Sequence, residues 1–238
     1  MAGDSIAHAK RGVALALNSL SPADRFAVIG FGSHTLAFDK SLQPANRKNL
    51  KLAEEFVDHL PNLGGTEMGL ALELAMSSGL PLDILLLTDG ECWSLGDAAM
   101  RAKAAGTRIF SVGIGSAVAE DTVRMLADET CGACELLTPN EDMATGIAAH
   151  FGRMRQPRIL GMEFVWGQAL AWTVESKQAR FAGDSCLIWA ELTETVSEVK
   201  ALPASSTLVQ SIRRAFDALD PAIWQAEVAV MASAQDVP

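Results

Sequence analysis

A carboxylate, Asp89, stands where an apolar run gives way to a turn, and it could hold a hard cation. Thr66 follows Gly64 and Gly65 and opens a helical run that carries Met68, Leu70, Leu72 and Leu74. Asp89 follows Ile84-Leu-Leu-Leu-Thr88 and precedes Gly90, at the point where apolar character gives way to polar residues. Mg²⁺ takes oxygen ligands of this kind in an octahedron and usually keeps waters and an open position. A buried Asp standing alone is costly, so Asp89 is either hydrogen-bonded by loop amides or holds a cation. Thr66 could serve as the N-cap of its helix, as could Asp4 at the start of the chain.

Other chemistry-bearing groups read less well. Cys131-Gly-Ala-Cys134 has redox-motif spacing, but it follows a helical stretch and precedes the strand-like residues 135–137, the reverse of the thioredoxin order. It reads as a turn with two thiols, and a zinc site would need two further ligands at motif spacing. Gly113-Ile-Gly-Ser-Ala117 is a partial dinucleotide fingerprint, and the acidic residue expected about 20 positions on would fall near Glu135, at the wrong end of the next strand. Gly30-Phe-Gly32 leads into a hairpin instead of a helix. His8, His34, His59 and His150 are scattered, with no nucleophile or carboxylate at catalytic spacing, so no enzymatic activity is expected.

Alternating strands and helices would position Thr66 and Asp89. Apolar positions Ile6, Ala9, Val13, Leu17 and Leu20 follow helical steps. Residues 25–31 read as a buried strand and 35–38 as its hairpin partner, with a helix over 45–60 and another from 67 to about 79. Residues 84–87 show no period-two alternation, so a central strand buried on both faces is expected there. Helix 95–105, strand 108–113, helix 120–128, strand 134–137 and helix 141–154 continue the pattern. Such alternation implies right-handed crossovers and an α/β fold with a doubly wound, mostly parallel sheet over residues 1–155. An open sheet of this kind binds ligands at the carboxyl edge of its strands, where Asp89 falls.

Beyond Arg155-Gln-Pro157 the pattern becomes period two, in Met162, Phe164 and Trp166 and again in Cys186, Ile188, Ala190 and Leu192. Residues 156–238 are expected to form a smaller β-rich domain with one helix over 208–219 and a strand over 224–231. Trp166, Trp172 and Trp189 read as core residues on its strands.

The formal charge of −10 over 238 residues, with 29 acidic and 19 basic side chains, repels phosphate backbones and excludes nucleic acid as an expected partner. No apolar run reaches the ~20 residues of a membrane span, and the first residues carry no signal region, so a cytoplasmic location is expected. Four cysteines are too few for a disulfide framework.

Taken together, residues 20–31, 64–72, 84–91, 109–115 and 140–142, with Ala9-Lys10 before them, resemble the von Willebrand factor type A (vWA) domain in its bacterial and inter-α-trypsin-inhibitor-like branch. The resemblance covers about two thirds of the chain, in the expected order. It implies a Rossmann-like sheet with a metal-ion-dependent adhesion site on its upper edge. That site is formed by a DxSxS motif after the first strand, a Thr after a Gly-Gly loop and an Asp after the fourth strand. Thr66 and Asp89 match the last two by position. The first strand and the DxSxS motif have no counterpart, since Met1 to Asp4 align with the residues just after the motif. The resemblance therefore implies a non-enzymatic protein-binding module that uses Mg²⁺, or Mn²⁺ or Ca²⁺ in its place, to bind a carboxylate of a partner protein. One alternative is a metal-independent assembly subunit that forms a homodimer by exchanging a strand into the gap. A nucleotide-using α/β enzyme built on residues 113–117 is the weakest reading.

Overall fold

Helix α1 (Asp4–Asn18) opens the first of two units into which the computed structural model divides the chain, Met1–Met154 and Arg155–Pro238. The residues described are 4–89, 95–115, 118–138, 142–159, 162–165, 170–175, 179–182, 184–192, 200–203, 210–211, 213–214 and 223–229. In the first unit α1 is followed by the short strands β1 (Arg25–Phe26), β2 (Ile29–Phe31), β3 (Thr35–Ala37) and β4 (Gln43–Pro44). Helices α2 (Arg47–Asp58) and α3 (Met68–Met76) come next, then β5 (Asp83–Thr88), α4 (Gly96–Ala104), β6 (Arg108–Ile114), α5 (Glu120–Glu129), β7 (Cys134–Leu137) and α6 (Met143–Met154). The fold is α/β, with β5, β6 and β7 forming a parallel sheet in that order.

The expectation for residues 84–87 needs correction. β6 is the strand buried almost throughout, because it has a hydrogen-bonded neighbour on each side and helices over its faces. Among the described residues β5 pairs only with β6, with Leu86 and Thr88 buried but Ile84, Leu85 and Leu87 half-buried. Its unbroken apolar run reflects helices on both faces, which is a separate matter from neighbours on both edges. Residues 25–31 also differ from the single buried strand expected. The run breaks at Ala27–Val28, with Arg25 and Phe26 pairing Pro44 and Gln43 while residues 29–31 pair back onto residues 35–37.

One core cluster joins Met68 and Leu72 of α3, Leu86 of β5, Leu95, Ala98, Ala99 and Ala102 around α4, Ile109 of β6 and Leu126 of α5. On the other face Ala9 of α1 and Met143 and Ile147 of α6 pack on Val112, Ile114 and Leu137, with Leu85 and Leu87 against them. α1 and α6 approach closely because Gly12 lacks a side chain, and a Cβ there would stand 2.8 Å from Ile147. Asp142 starts α6, accepting from Thr145 N (3.3 Å) and Thr145 Oγ1 (2.7 Å). The Thr145 hydroxyl holds its carboxyl below the usual range.

At the opposite edge of the sheet from Asp89, Arg108 ties three elements together. Its Nε and Nη2 donate to Asp83 Oδ1 (2.7 Å) and Oδ2 (2.6 Å) at the start of β5, and Nη2 also reaches Met154 O (3.3 Å) at the end of α6. The guanidinium lies 5.2 Å from the Phe110 ring centroid.

The second unit is β-rich among its described residues. β8 (Arg158–Ile159) pairs with β11 (Arg180–Phe181), and β9 (Met162–Val165) pairs with β13 (Lys200–Pro203), which also pairs with β14 (Gln210–Ser211). A four-stranded antiparallel sheet runs β10 (Leu170–Glu175), β12 (Ser185–Leu192), β16 (Ile223–Ala229), β15 (Arg213–Arg214). The helix expected over 208–219 is replaced, where described, by strands β14 and β15, because Arg213 and Arg214 pair with Glu227 and Ala226 of β16. Long-range pairing there overrides local spacing. Trp172 and Trp189 lie on β10 and β12, and Trp166 is outside the described residues.

Candidate metal site at the carboxyl edge of the sheet

Two loops meet near Thr66. The turn after β2 is held against the Gly-Gly loop by two backbone bonds, Ser33 N to Leu63 O (2.8 Å) and Glu67 N to Gly32 O (2.9 Å). Glycine is required at the contact, since a Cβ on Gly32 would stand 2.5 Å from Gly64 O, and one on Gly65 would stand 2.7 Å from Ser33 Oγ. Gly64 takes φ +71°, and its N–H donates to Asn62 Oδ1 at 2.9 Å. The loop therefore has little freedom as it delivers half-buried Thr66 to the start of α3. The cap position of α3 is Glu67, whose side chain makes no capping bond, so the N-cap role considered for Thr66 falls one residue later.

Asp89 lies just past β5, next to buried Thr88, and is itself half-buried. The first turn of α3 reaches the same place. Met68 shares a core cluster with Leu86 and Leu95, and the α-carbon of Gly69 faces Leu95, the residue before α4. Thr66 thus lies two residues before Met68, and Asp89 follows Leu86 by three residues at the carboxyl end of β5. Gly90 and Glu91, the end of the motif stretch, are outside the described residues.

Both donors are oxygen, which suits Mg²⁺, Mn²⁺ or Ca²⁺ and does not suit a soft metal. Among the described residues no three His, Cys, Asp or Glu side chains gather at a point that could hold a metal ion. The donor set fits a small, hard ion.

The other candidate groups lie elsewhere. Gly113 is a strand residue paired with Thr88 and Leu136, and a Cβ there would stand 2.8 Å from Leu136 and Val118. Packing therefore accounts for that glycine, while Ser116 and Ala117 are outside the described residues. Cys131 (φ 62°), in the turn after α5, and Cys134, the first residue of β7, are free thiols, and burial pushes the Cys134 thiol up. His150 is in the core, 3% exposed, with Nε2 at 3.2 Å from Ala133 O and the ring edge-on to Phe110. Its place on the buried stripe of α6, with Ile147, Phe151 and Met154, was the available signal.

Comparison with known proteins places this edge in context. A family model described as "von Willebrand factor type A domain" matches residues 1–136. A von Willebrand factor A domain-containing protein of Dictyostelium discoideum is 29% identical over 198 residues, covering 79% of this chain and 10% of that protein. The chain spans only 10–24% of the length of the curated relatives it matches. Among solved structures, a von Willebrand factor type A protein from Catenulispora acidiphila superposes with a TM-score of 0.54 at 13% identity, covering 97% of this chain and 63% of that one. Proximal thread matrix protein 1 of the mussel byssus, solved with a zinc-occupied MIDAS motif, gives 0.50 at 17% identity over 68% of this chain and 44% of that one.

Proposed function

The chain belongs to the von Willebrand factor type A family, and from that premise we propose that it is a protein-interaction module whose contact is made through a hydrated divalent cation on Thr66 and Asp89. Domains of this family serve in general as non-enzymatic interaction modules. The reading is supported by the braced Gly64-Gly65 loop that leads into Thr66 and by the position of Asp89 just past the carboxyl end of β5. The mussel protein's metal-occupied motif supports a cation in this role. Bound there, Mg²⁺ would supply a Lewis-acidic open position for a carboxylate of the partner. Thr66 and Asp89 would orient the cation, and the loop bonds at Ser33 and Glu67 would keep that orientation fixed. Calorimetric titration with Mg²⁺ and Mn²⁺ is the test. We expect saturable binding that is lost in Thr66→Ala/Asp89→Ala, and equal binding by the double variant would overturn the reading.

A second reading draws on β5. Its outer edge has no strand partner among the described residues, and its half-buried Leu85 and Leu87 pack on the face covered by α1 and α6. A strand from a second copy entering there would make a dimer by exchange. Light scattering across micromolar concentrations should then show a mass twice that of the chain, and a constant monomer mass would remove this reading.

A further inference from the structure

Residues 25–51 hold Arg25, Lys40, Arg47, Lys48 and Lys51 against one carboxylate, Asp39, in a chain whose net charge is −10. The β1–β4 pairing sets Arg25 opposite Pro44, three residues before α2 begins, so Arg25 and the cations of the first turn of α2 flank the base of the hairpin. All five are exposed. The neighbouring carboxylates are engaged in their own turns. Asp39 Oδ1 accepts from Ser41 N (3.0 Å) and Oγ (3.2 Å), and Asp24 Oδ2 accepts from Ser21 N (2.7 Å). Arg25 donates to a carbonyl, Leu42 O, at 2.8 Å. Lys51 has a loose, solvent-exposed contact with Glu55 at 3.9 Å, and among the described residues Lys40, Arg47 and Lys48 make no ion pair.

α2 is also charged against its own dipole. Its first half carries Arg47, Lys48 and Lys51 and its second half Glu54, Glu55 and Asp58, with no acid in the first turn and no base in the last. Cations at a helix N-terminus and anions at its C-terminus both disfavour the helix. At the C-terminal end Lys10 Nζ offsets the anions by donating to Asp58 O (2.8 Å) and Leu60 O (3.0 Å). At the N-terminal end no carboxylate among the described residues answers Arg47 and Lys48, and a local rule broken there without compensation marks a surface kept for binding. Leu52, 43% exposed, stands one turn beyond Lys48 and adds an apolar contact among the charges.

We propose that this basic face is a docking surface for an acidic, carboxylate-rich segment of a partner protein. A polyanion long enough to run past the patch, such as RNA, would meet the acidic remainder of the chain, whereas a short peptide segment would not. The surface is separate from the Thr66–Asp89 edge. The hairpin touches the Gly-Gly loop at its tip, Gly32, whereas Arg25 pairs with Pro44 at its base.

The test uses the full chain and a fluorescein-labelled octaglutamate peptide, read by anisotropy at low ionic strength. Saturable binding is expected, weakening toward 0.15 M salt and falling at least about ten-fold in Arg47→Glu/Lys48→Glu/Lys51→Glu. Arg11→Glu/Lys103→Glu/Arg124→Glu carries the same net charge and should stay within about three-fold of the parent. No saturable binding, equal losses in both triple variants, or tighter binding of an octauridylate would overturn the proposal. A thermal melt provides an independent arm. Arg47→Glu/Lys48→Glu suits the α2 dipole and should raise Tm by about 2–4 °C, whereas a fall in Tm would assign these cations to folding and overturn the proposal.

Discussion

Gly132→Ala is expected to cost the first unit about 3–5 kcal/mol of folding stability, enough to leave much of it unfolded at 37 °C. A Cβ at Gly132 would stand 1.9 Å from Ile109 O and 2.6 Å from Ile109 C. These are main-chain atoms of β6, so no side-chain rotation relieves the clash. The surroundings are fixed too. Gly132 N donates to Ala127 O at 2.9 Å, and Ile109 N accepts no substitute for its donation to Thr130 Oγ1, also at 2.9 Å. Ile109, Phe110 and Val112 are all at 0% exposure, so β6 cannot move aside without disturbing both core clusters. A urea titration measures the effect as a drop in midpoint at unchanged slope. A loss below about 1 kcal/mol would show that the turn from α5 to β7 relaxes without cost, contrary to this packing.

Phe110→Ala should be nearly as severe, at about 3–5 kcal/mol, and for the opposite reason: it leaves a hole. The ring is fully buried, meets His150 edge-on at 5.9 Å, and lies under the Arg108 guanidinium at 5.2 Å. Removing it deprives His150 of a packed neighbour and Arg108 of the surface on which it reaches Asp83 and Met154 O. Phe110→Leu fills most of the volume and should recover all but about 1.5 kcal/mol. If leucine were no better than alanine, the ring's interactions with His150 and Arg108, more than its volume, would dominate.

Much of the first unit was readable because the two periods that define it are strong. The alternation of apolar runs with amphipathic helices from residue 83 to residue 154 corresponds closely to β5 through α6. The position of β5 in the sheet was not readable. Helices on both faces produce the same run of Ile84 to Leu87 whether a strand has one hydrogen-bonded neighbour or two, and among the described residues β5 pairs with β6 alone. The interruption at Ala27–Val28 was equally hidden, because it depends on Gln43 and Pro44 pairing back from 17 residues away or more. Arg213 and Arg214 lie in a stretch with helical spacing and are strand because β16 is there to receive them.

The candidate site shows the same division. Glycine doublets and a polar strand end mark Thr66 and Asp89 in the sequence, since backbone approach and chain reversal demand those residue types. What braces Thr66 was not visible. Ser33 and Gly32 reach the Gly-Gly loop only through the hairpin, and nothing in their own spacing announces that contact.

The packing of α1 on α6 has a consequence in time. Gly12 and Ile147 touch across 134 intervening residues, so the face of the sheet formed by Val112, Ile114 and Leu137 is closed by the first and last helices of its unit. At a synthesis rate of roughly 5–20 residues per second, α1 waits on the order of ten seconds for its partner. Throughout that interval the nascent chain presents the underside of α1 and then the bare face of β6. These are the surfaces a holding chaperone would recognise, and a ribosome stalled before residue 143 would leave them open.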